Sequence, residues 1–240
     1  RQGTHGYNGA QDTFLDATAP DTPKGADPTL QVKELYPIRR ALLYFDLITI
    51  PPEATITSAY LELFVNYRSS TSASTFGFYH LLKPWDAAAA TWNMTGMGQA
   101  WTSPGAGSAG NDFEPTAFAS NPLSTVGKYN RIDVLSAVQR WVQHPDQNLG
   151  CLIMGASNVD VRFWSSDDSR EEERPRLTVT YELMGTATPR PTVSPTEGPS
   201  PTYGPSPTAA NTIYSTGVRE AFDDAAKGTC TIATPDSPGN

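Results

Sequence analysis

The chain has 240 residues and a formal net charge of −8, and 38% of its residues are hydrophobic and 10% aromatic. This hydrophobic content is enough to build a core, whereas the acidic balance argues against nucleic acid and anionic membranes as partners. No run of about 18 apolar residues occurs, and no apolar leader precedes Arg1, so we expect no membrane insertion.

Short strands with an apolar residue at every second position dominate the chain up to residue 183. In residues 40–47, for example, Leu43, Phe45 and Leu47 fall on one face. Five further strands are predicted over residues 58–66, 76–82, 151–154, 161–164 and 177–183. Prolines lie between these segments, where the missing amide donor costs least. The pattern predicts an all-β fold, an antiparallel β-sandwich.

One short helix and one long loop interrupt the strands. The helix is predicted to follow Asp133, which is placed as its N-cap, and to end at His144 before Pro145. Residues 87–128 are rich in Gly, Ala, Ser and Pro and have few periodic apolar positions, so a long loop is predicted there. Loops of this length are usually functional or mobile.

The C-terminal part of the chain has a different composition. Residues 186–208 mix Pro, Thr and Ser, and we expect an extended linker of a kind typical of extracellular proteins. Such linkers are often O-glycosylated, with Thr192, Thr196 and Thr202 as candidate acceptors. The tail that follows contains a helical segment at 218–227 and a strand-like run at 229–234. It buries too little surface to fold alone and needs a partner surface.

The cysteines and histidines give little sign of chemistry. Cys151 and Cys230 are too few for a disulfide scaffold or a zinc site, although an oxidising compartment would allow them to pair. His5, His80 and His144 are the only histidines, and none lies in a nucleophile motif. The sequence therefore predicts a protein that is not an enzyme.

Eight motifs follow one another in a fixed order between residues 11 and 182. They are DTFL at 12–15, RRALLYFDL at 39–47, IPPEATITSAYLELFV at 50–65, ATWN at 90–93, IDVLSAVQRWV at 132–142, NLGCLIM at 148–154, FWSSDD at 163–168 and RPRLTVTY at 174–181. In this order and spacing they resemble the DNRLRE domain family, which is related to disaggregatase-type and carbohydrate-binding modules of secreted microbial proteins. The tail resembles the opening of a right-handed β-helix domain.

The resemblance implies a jelly-roll-type β-sandwich appended to larger extracellular proteins, with polysaccharide binding in some members and no universal binding residue. The usual acidic residue after the final Ser pair is Asp167 here, whereas the usual Asn-x-Gly after the opening strand is replaced by residues 23–25. We therefore expect an extracellular or cell-surface location. The expected divisions are an N-terminal extension at 1–10, the sandwich at 11–185, the linker at 186–208 and the tail at 209–240.

Sugar binding relies on exposed aromatic rings flanked by carboxamides and acids. The candidates in or beside the long loop are Trp101, Trp92, Trp85 and Gln99. Against this role, large aromatic residues generally lie in cores, and the resemblance makes Trp85 and Trp92 structural. The sequon that begins at Asn93 is a candidate for N-glycosylation.

An acidic segment after residue 166 supplies hard oxygen ligands, of which Asp167 and Asp168 are weak candidates for Ca²⁺. No EF-hand spacing supports such a site. Four arginines lie close by in sequence and could neutralise the acids: Arg162, Arg170, Arg174 and Arg176. A solvated charge network is therefore favoured over a metal site, and no cofactor is expected.

Two functions remain open from the sequence, and the residues place the first ahead of the second. The first is a subunit of an extracellular filament or surface assembly, in which an extended N- or C-terminal segment adds a strand to the next copy. The alternative is a polysaccharide-binding module that the linker tethers to an enzyme or adhesin domain. The resemblance favours the alternative, although a fold does not fix a function.

Overall fold

A computed structural model describes residues 7–183 and the backbone of residues 227–233. The strands in chain order are β1 (Ala10–Asp16), β2 (Thr29–Val32), β3 (Arg39–Phe45), β4 (Thr55–Arg68), β5 (Phe76–His80), β6 (Ala119–Asn121), β7 (Lys128–Asp133), β8 (Cys151–Gly155), β9 (Val161–Trp164), β10 (Arg176–Glu182) and β11 (Lys227–Ala233). One α-helix, α1 (Leu135–Gln143), follows β7, and short 3₁₀ turns occupy Pro145–Gln147 and Glu171–Glu173.

The strands form two antiparallel sheets. The five-stranded sheet has the order β1-β3-β8-β5-β6, and the second sheet has the order β11-β10-β4-β9-β2, with β7 paired to β4. Tyr60 of β4 pairs with Asp133 of β7 and with Thr178 of β10, so these two strands lie on opposite edges of β4. The predicted β-sandwich is confirmed.

The core lies between the sheets because every second residue of the strands faces inward. Along β4 the alternate residues Ala59, Leu61, Leu63 and Val65 are buried, and the residues between them are partly exposed. Large buried side chains from the other strands complete the core; they include Phe14, Leu30, Phe76, Phe78, Phe163 and Tyr181. Complete burial of one such side chain contributes about 1.5–3 kcal/mol, so this core is the main source of stability.

The helix α1 packs one face onto the sandwich and buries Ala137, Val138, Trp141 and Val142. Its predicted position is confirmed, but the N-cap is Val134 and not Asp133. Asp133 lies one residue earlier and accepts a hydrogen bond from the Leu135 N–H at 3.0 Å. Within the described ranges, no helix has both the length and the apolar character that a membrane span requires.

The long loop is a packed layer on the outer side of the five-stranded sheet. A second apolar cluster joins the loop to this sheet; it contains Leu15, Leu42, Leu81, Trp85, Ala90, Trp101, Ala106, Phe113 and Leu152. The predicted loop is confirmed except for the short strand β6 within it. The apolar residues that it buries give it a structural role that its composition did not indicate.

One buried carboxylate holds the loop layer together. Asp112 accepts hydrogen bonds from the N–H groups of Thr102, Ser103 and Ser108 at 2.7–3.0 Å, and Lys83 Nζ lies 3.2 Å from it. Burial alone would raise the pKa of Asp112, but these hydrogen bonds outweigh burial and hold the pKa below its usual value. The loop is thus closed around an ionised group.

The strand-like run predicted near the C-terminus is strand β11. It pairs with the whole of β10, from Arg176 opposite Ala233 to Glu182 opposite Lys227. The linker with Thr192, Thr196 and Thr202, the predicted helical segment before β11, and His5 lie outside the described residues. β11 is the outermost strand of its sheet among the described residues.

Cys151 is a free thiol buried in the core, so it is not joined to Cys230 in this structure. Burial raises the pKa of the Cys151 thiol to about 12. Because the thiolate is the reactive form of cysteine, this residue is chemically inert in the folded protein.

Candidate functional site

The outer sides of the two sheets are different. The loop layer covers the five-stranded sheet, whereas the outer side of the other sheet carries aromatic and arginine side chains. We call this surface the aromatic–arginine face; it consists of Tyr60, Phe64, Tyr129, Trp164, Arg131, Arg170 and Arg176. These residues lie at the outward positions of β4, β7, β9 and β10, except Arg170, which follows β9.

Each arginine of the face lies over an aromatic ring. The guanidinium carbon of Arg131 is 3.5 Å from the ring centroid of Tyr60, and that of Arg176 is 3.8 Å from the ring centroid of Tyr129. Arg170 lies 4.1 Å from the Trp164 ring in the same way. Such stacking is attractive and restricts the planar guanidinium group, so its hydrogen-bond donors are held in place before a ligand arrives.

The rings connect neighbouring strands into one surface. Phe64 pairs with Tyr129 across β4 and β7, and their rings meet edge to face with centroids 5.4 Å apart. The Tyr129 hydroxyl donates to the Arg174 carbonyl at 3.1 Å and also to the Glu172 carbonyl. Since Phe163 pairs with Val65, Trp164 continues the same antiparallel register beside Phe64.

Two of the arginines carry a charge that no described carboxylate neutralises. Arg131 and Arg176 form no ion pair within 4.0 Å with any residue of the described part of the chain. Glu62 pairs with both in the strand register but contacts neither within that distance. Arg170, in contrast, is 3.0 Å from the Asp168 carboxylate. Both guanidinium groups can therefore offer donors to a ligand, although one donor of Arg176, Nη2, is already bound to the Glu172 carbonyl at 2.7 Å.

The structure buries two of the tryptophans that the sequence offered as a sugar platform. Trp101 is 4% exposed and its Nε1 donates to the Thr91 carbonyl at 3.0 Å. Trp85 is 9% exposed and its Nε1 donates to the Leu149 carbonyl at 2.8 Å. Stacking on a sugar needs an open ring face, so this burial argues against a platform at Trp101 or Trp85.

The other two candidates lie nearer to the surface of the loop layer. Trp92 is partly buried and lies against Gly105. A side chain at position 105 would collide with the indole, and the φ of +74° there also favours glycine. Arg40 lies 5.8 Å from the Trp92 ring. Gln99 is exposed in the same layer. A role for Trp92 and Gln99 in binding stays a prediction.

Both polar side chains of the sequon are engaged in the fold. Asn93 Nδ2 donates to Asp21 Oδ1 at 2.8 Å. Thr95 is fully buried, and its Oγ1 accepts a hydrogen bond from the Met97 N–H. Glycosylation of Asn93 stays a prediction, and the folded chain offers its amide nitrogen only after the bond to Asp21 is broken.

The acidic segment divides into two environments. Asp168 is 3% exposed and accepts two hydrogen bonds from Arg170 Nη1, at 3.0 and 3.1 Å, so this ion pair is partly buried and not the solvated one that was predicted. Asp167, in contrast, lines a cavity of about 120 Å³ together with Asp12 and Arg174. In the described residues no group of three or more His, Cys, Asp or Glu side chains is arranged to hold a metal.

Asp12 was not predicted as a site residue and is the most perturbed carboxyl group of the described chain. It is 2% exposed, and burial, partly offset by hydrogen bonds from Ser166, raises its pKa to about 7. Sequence reasoning also missed the aromatic–arginine face. The one signal for it was the row of outward positions on β4, where Tyr60 and Phe64 stand in place of polar residues.

His80 is buried in an aromatic cluster. Its ring centroid lies 4.6 Å from that of Phe118 and 5.4 Å from that of Trp141. Burial lowers the pKa of His80 below its usual value. His144, by contrast, is exposed after α1.

Comparison with known proteins gives one family. The sequence profile of carbohydrate-binding module family 96 matches residues 4–181. A comparison with curated proteins found no match. The profile covers β1 to β10 except the last residue of β10, leaves out β11, and points to glycan binding. The DNRLRE name given by resemblance stays a prediction. The chain therefore belongs to carbohydrate-binding module family 96.

Proposed function

We propose that this module binds an extended polysaccharide along the aromatic–arginine face. The observation that carries the proposal is the pair Arg131 and Arg176, two guanidinium groups that lie over tyrosine rings and form no ion pair with a described carboxylate. Planar guanidinium groups donate pairs of hydrogen bonds to carboxylate and hydroxyl oxygens. Aromatic rings beside them offer apolar surface to the C–H faces of sugar rings.

The two cationic groups favour a polysaccharide that carries carboxylate or sulfate groups. Hydrogen bonds to a charged partner contribute about 1.5–3 kcal/mol, compared with about 1 kcal/mol for neutral pairs. The net charge of −8 belongs to the chain as a whole. An acidic ligand is therefore expected to bind at this face and to be repelled by the rest of the surface, which would give the binding a preferred location.

The shape of the face suits the interior of a long chain better than a single sugar. β4 has 14 residues and is the longest strand of the described chain. At about 3.3 Å per residue, Tyr60 and Tyr67 are separated by roughly 23 Å along this strand. Arg162 lies 4.8 Å from the Tyr67 ring and continues the arginine-on-ring pattern to that end. A ligand that contacts the full length must span several sugar units.

The proposal is tested by titrating the protein with a panel of soluble neutral, carboxylated and sulfated polysaccharides in affinity electrophoresis. We expect retardation by at least one acidic chain, and at least a tenfold weaker interaction in the double variant Arg131→Gln/Arg176→Gln. Arg140→Gln is the matched control, because Arg140 lies on α1 outside the face and pairs with Glu114. Equal retardation of both variants would place the site elsewhere.

A filament subunit is the second candidate, and the pairing of β11 with β10 is the observation that bears on it. The edge of β10 takes up a strand of this chain, as strand addition requires. Residues 183–226 tether that strand to the same copy, however, and such tethers give effective concentrations of the order of mM. Exchange between copies is therefore expected only in concentrated protein.

Electron microscopy over a concentration series, with a variant that lacks residues 227–240, tests the filament. Fibres that form in the full chain and are lost in the truncated chain would support strand exchange; single particles at every concentration would rule it out. We further propose that the module acts outside the cell, tethered by residues 186–208 to an enzyme or adhesin domain. The Pro/Thr composition of that segment and the polysaccharide ligand support this location.

A further inference from the structure

A second cavity, of about 160 Å³, lies between the start of the loop layer and the outer side of the five-stranded sheet. It is lined by Gln11, Tyr44, Pro84, Trp85, Asn148 and Leu149. A water-sized group needs about 10–15 Å³ of such a volume, so the cavity has room for one six-membered ring with its substituents. None of the lining side chains is charged, in contrast to the aromatic–arginine face.

One wall of this cavity carries two polar side chains that the fold does not use. Gln11 of β1 pairs directly with Tyr44 of β3 in the strand register, so both lie on the same side of the sheet with Cβ atoms about 5 Å apart. Tyr44 is half-buried against the second apolar cluster, and Gln11 is exposed. Neither side chain forms a hydrogen bond with another residue of the described ranges. The phenol hydroxyl and the amide are therefore free to bind a ligand.

A second wall is held in place by hydrogen bonds to the backbone. Asn148 Nδ2 donates to the Phe45 carbonyl at 2.9 Å, and Trp85 Nε1 donates to the Leu149 carbonyl at 2.8 Å. Gly150 follows with a φ of +77°, and a Cβ there would lie 2.5 Å from a carbonyl oxygen of β3. Glycine therefore lets this turn approach β3 closely. Because the wall is fixed before a ligand arrives, binding costs less conformational entropy.

The chemistry of these walls suits an uncharged ring that carries hydroxyl groups. Carboxamides and phenols both donate and accept hydrogen bonds, as sugar hydroxyls do, and aromatic and apolar side chains offer surface to the C–H groups of a sugar. Burial, with a contribution from Asp46, raises the pKa of Tyr44, so its hydroxyl keeps the proton that it can donate. We propose that this cavity binds a single neutral sugar unit through Tyr44 and Gln11. Trp85 acts there as a fixed wall and not as a stacking platform.

This cavity is separate from the aromatic–arginine face. Its strand residues belong to β1 and β3 of the five-stranded sheet, whereas the face lies on the outer side of the other sheet. The two sites share no residue, so the cavity can bind a sugar even if the face binds none. Two sites on one module can hold two glycan segments at once, which raises the overall affinity through effective concentration.

The test is an NMR titration of the labelled full chain with the methyl glycosides of glucose, galactose, mannose and xylose. For a ligand of this size a Kd on the order of 10⁻³ M is expected. At least one glycoside should give saturable amide shifts at Gln11, Tyr44 and Asn148. Gln11→Ala and Tyr44→Phe should each weaken this binding at least fivefold. Gln143→Ala is the matched control, because Gln143 is an exposed glutamine at the end of α1.

Both substitutions are mild, since Gln11 is exposed and Tyr44→Phe keeps the ring, so a loss of binding reports the contact and not the fold. The proposal is overturned if no glycoside gives saturable shifts around the cavity, which would mean that water alone fills it. It is equally overturned if both variants bind as the unaltered chain does. The double variant Arg131→Gln/Arg176→Gln should bind the glycoside normally, which separates this site from the aromatic–arginine face.

Discussion

The guanidinium group of Arg131 in β7 lies over the ring of Tyr60 in β4, with its carbon 3.5 Å from the ring centroid. The two residues come from sequence positions 71 apart and meet because Glu62 pairs with Arg131 in the strand register. The ring restrains the arginine on the outer side of β7, which pairs with β4. This relationship makes the affinity for a ligand depend on Tyr60 as well as on Arg131.

Tyr60→Ala should therefore weaken polysaccharide binding without unfolding the protein. A cation–π contact contributes about 0.5–1 kcal/mol at an exposed site, and loss of the ring surface adds to this, so we expect a 5–10-fold higher Kd by calorimetry. Tyr36→Ala is the matched control, because Tyr36 is 77% exposed and lies between β2 and β3. An equal effect of both variants would show that the contact between Tyr60 and Arg131 does not contribute to polysaccharide binding.

Binding to an acidic polysaccharide should weaken as NaCl is raised from 0.05 to 0.5 M. Arg131 and Arg176 are partly exposed to solvent, where salt screens charges over roughly 10 Å at 0.1 M. The expected signature is a Kd that rises with salt for the unaltered chain and rises less for Arg131→Gln/Arg176→Gln. A Kd that is independent of salt would contradict a role for the two guanidinium charges.

Trp101→Ala should destabilise the fold and leave the aromatic–arginine face intact. The indole fills the loop layer and its Nε1 bonds the Thr91 carbonyl, so its removal leaves a cavity and an unpaired acceptor. Truncation of a buried tryptophan typically costs about 3–5 kcal/mol, which urea unfolding would measure. A stable variant that has lost polysaccharide binding would instead support a platform at Trp101.

His80 should make the fold less stable at acidic pH. Burial lowers the pKa of His80 in the folded state, with Glu114 opposing and Arg140 adding to this shift, while Phe118 and Trp141 pack against the ring. The unfolded chain then binds the proton more tightly, so this contribution to stability is present above pH 6.5, the usual value, and is lost as the pH falls.

The variant His80→Phe isolates this effect, because it keeps a ring and removes the titration. The free energy of unfolding of both proteins is measured in urea at pH 7.5 and 5.0. On going to pH 5.0, the unaltered protein should lose more stability than the variant. An unchanged difference would mean that His80 is protonated equally in the folded and unfolded states.

Cys151 should resist alkylation until the protein unfolds. Its thiol is buried and its pKa is raised to about 12, so almost no thiolate exists at neutral pH. Mass spectrometry after iodoacetamide treatment should find Cys151 unmodified in buffer and modified in urea. Protection in urea that disappears only with a reductant would reveal a disulfide with Cys230.

The elements that the sequence predicted are those whose apolar residues follow a clear period. The predicted strands at 40–47, 58–66 and 161–164 correspond to β3, β4 and β9, and the helix corresponds to α1. β1, β2 and β6 were not assigned. β1 shows no alternation because its residues from Asp12 to Asp16 are all buried, and β2 and β6 have only four and three residues. β7 was missed as well, since its sequence KYNRID is mostly polar.

The missed strand explains why the candidate site could not be predicted. Tyr129 and Arg131 both lie on β7, and their positions opposite Phe64 and Glu62 follow only from the register. The tryptophans of the loop were offered as site residues, but the structure buries Trp85 and Trp101. Their burial depends on contacts with Leu15, Leu42 and Leu152 of the five-stranded sheet, which no local pattern contains.

Chemical-shift mapping by NMR tests the central claim most directly. An oligosaccharide of a polysaccharide that binds is titrated into labelled protein, and the backbone amides that shift are located on the structure. We predict that the shifts gather on β4, β7 and β10 around Tyr60, Arg131 and Arg176. Shifts confined to the loop layer around Trp92 and Gln99 would contradict a site on the aromatic–arginine face.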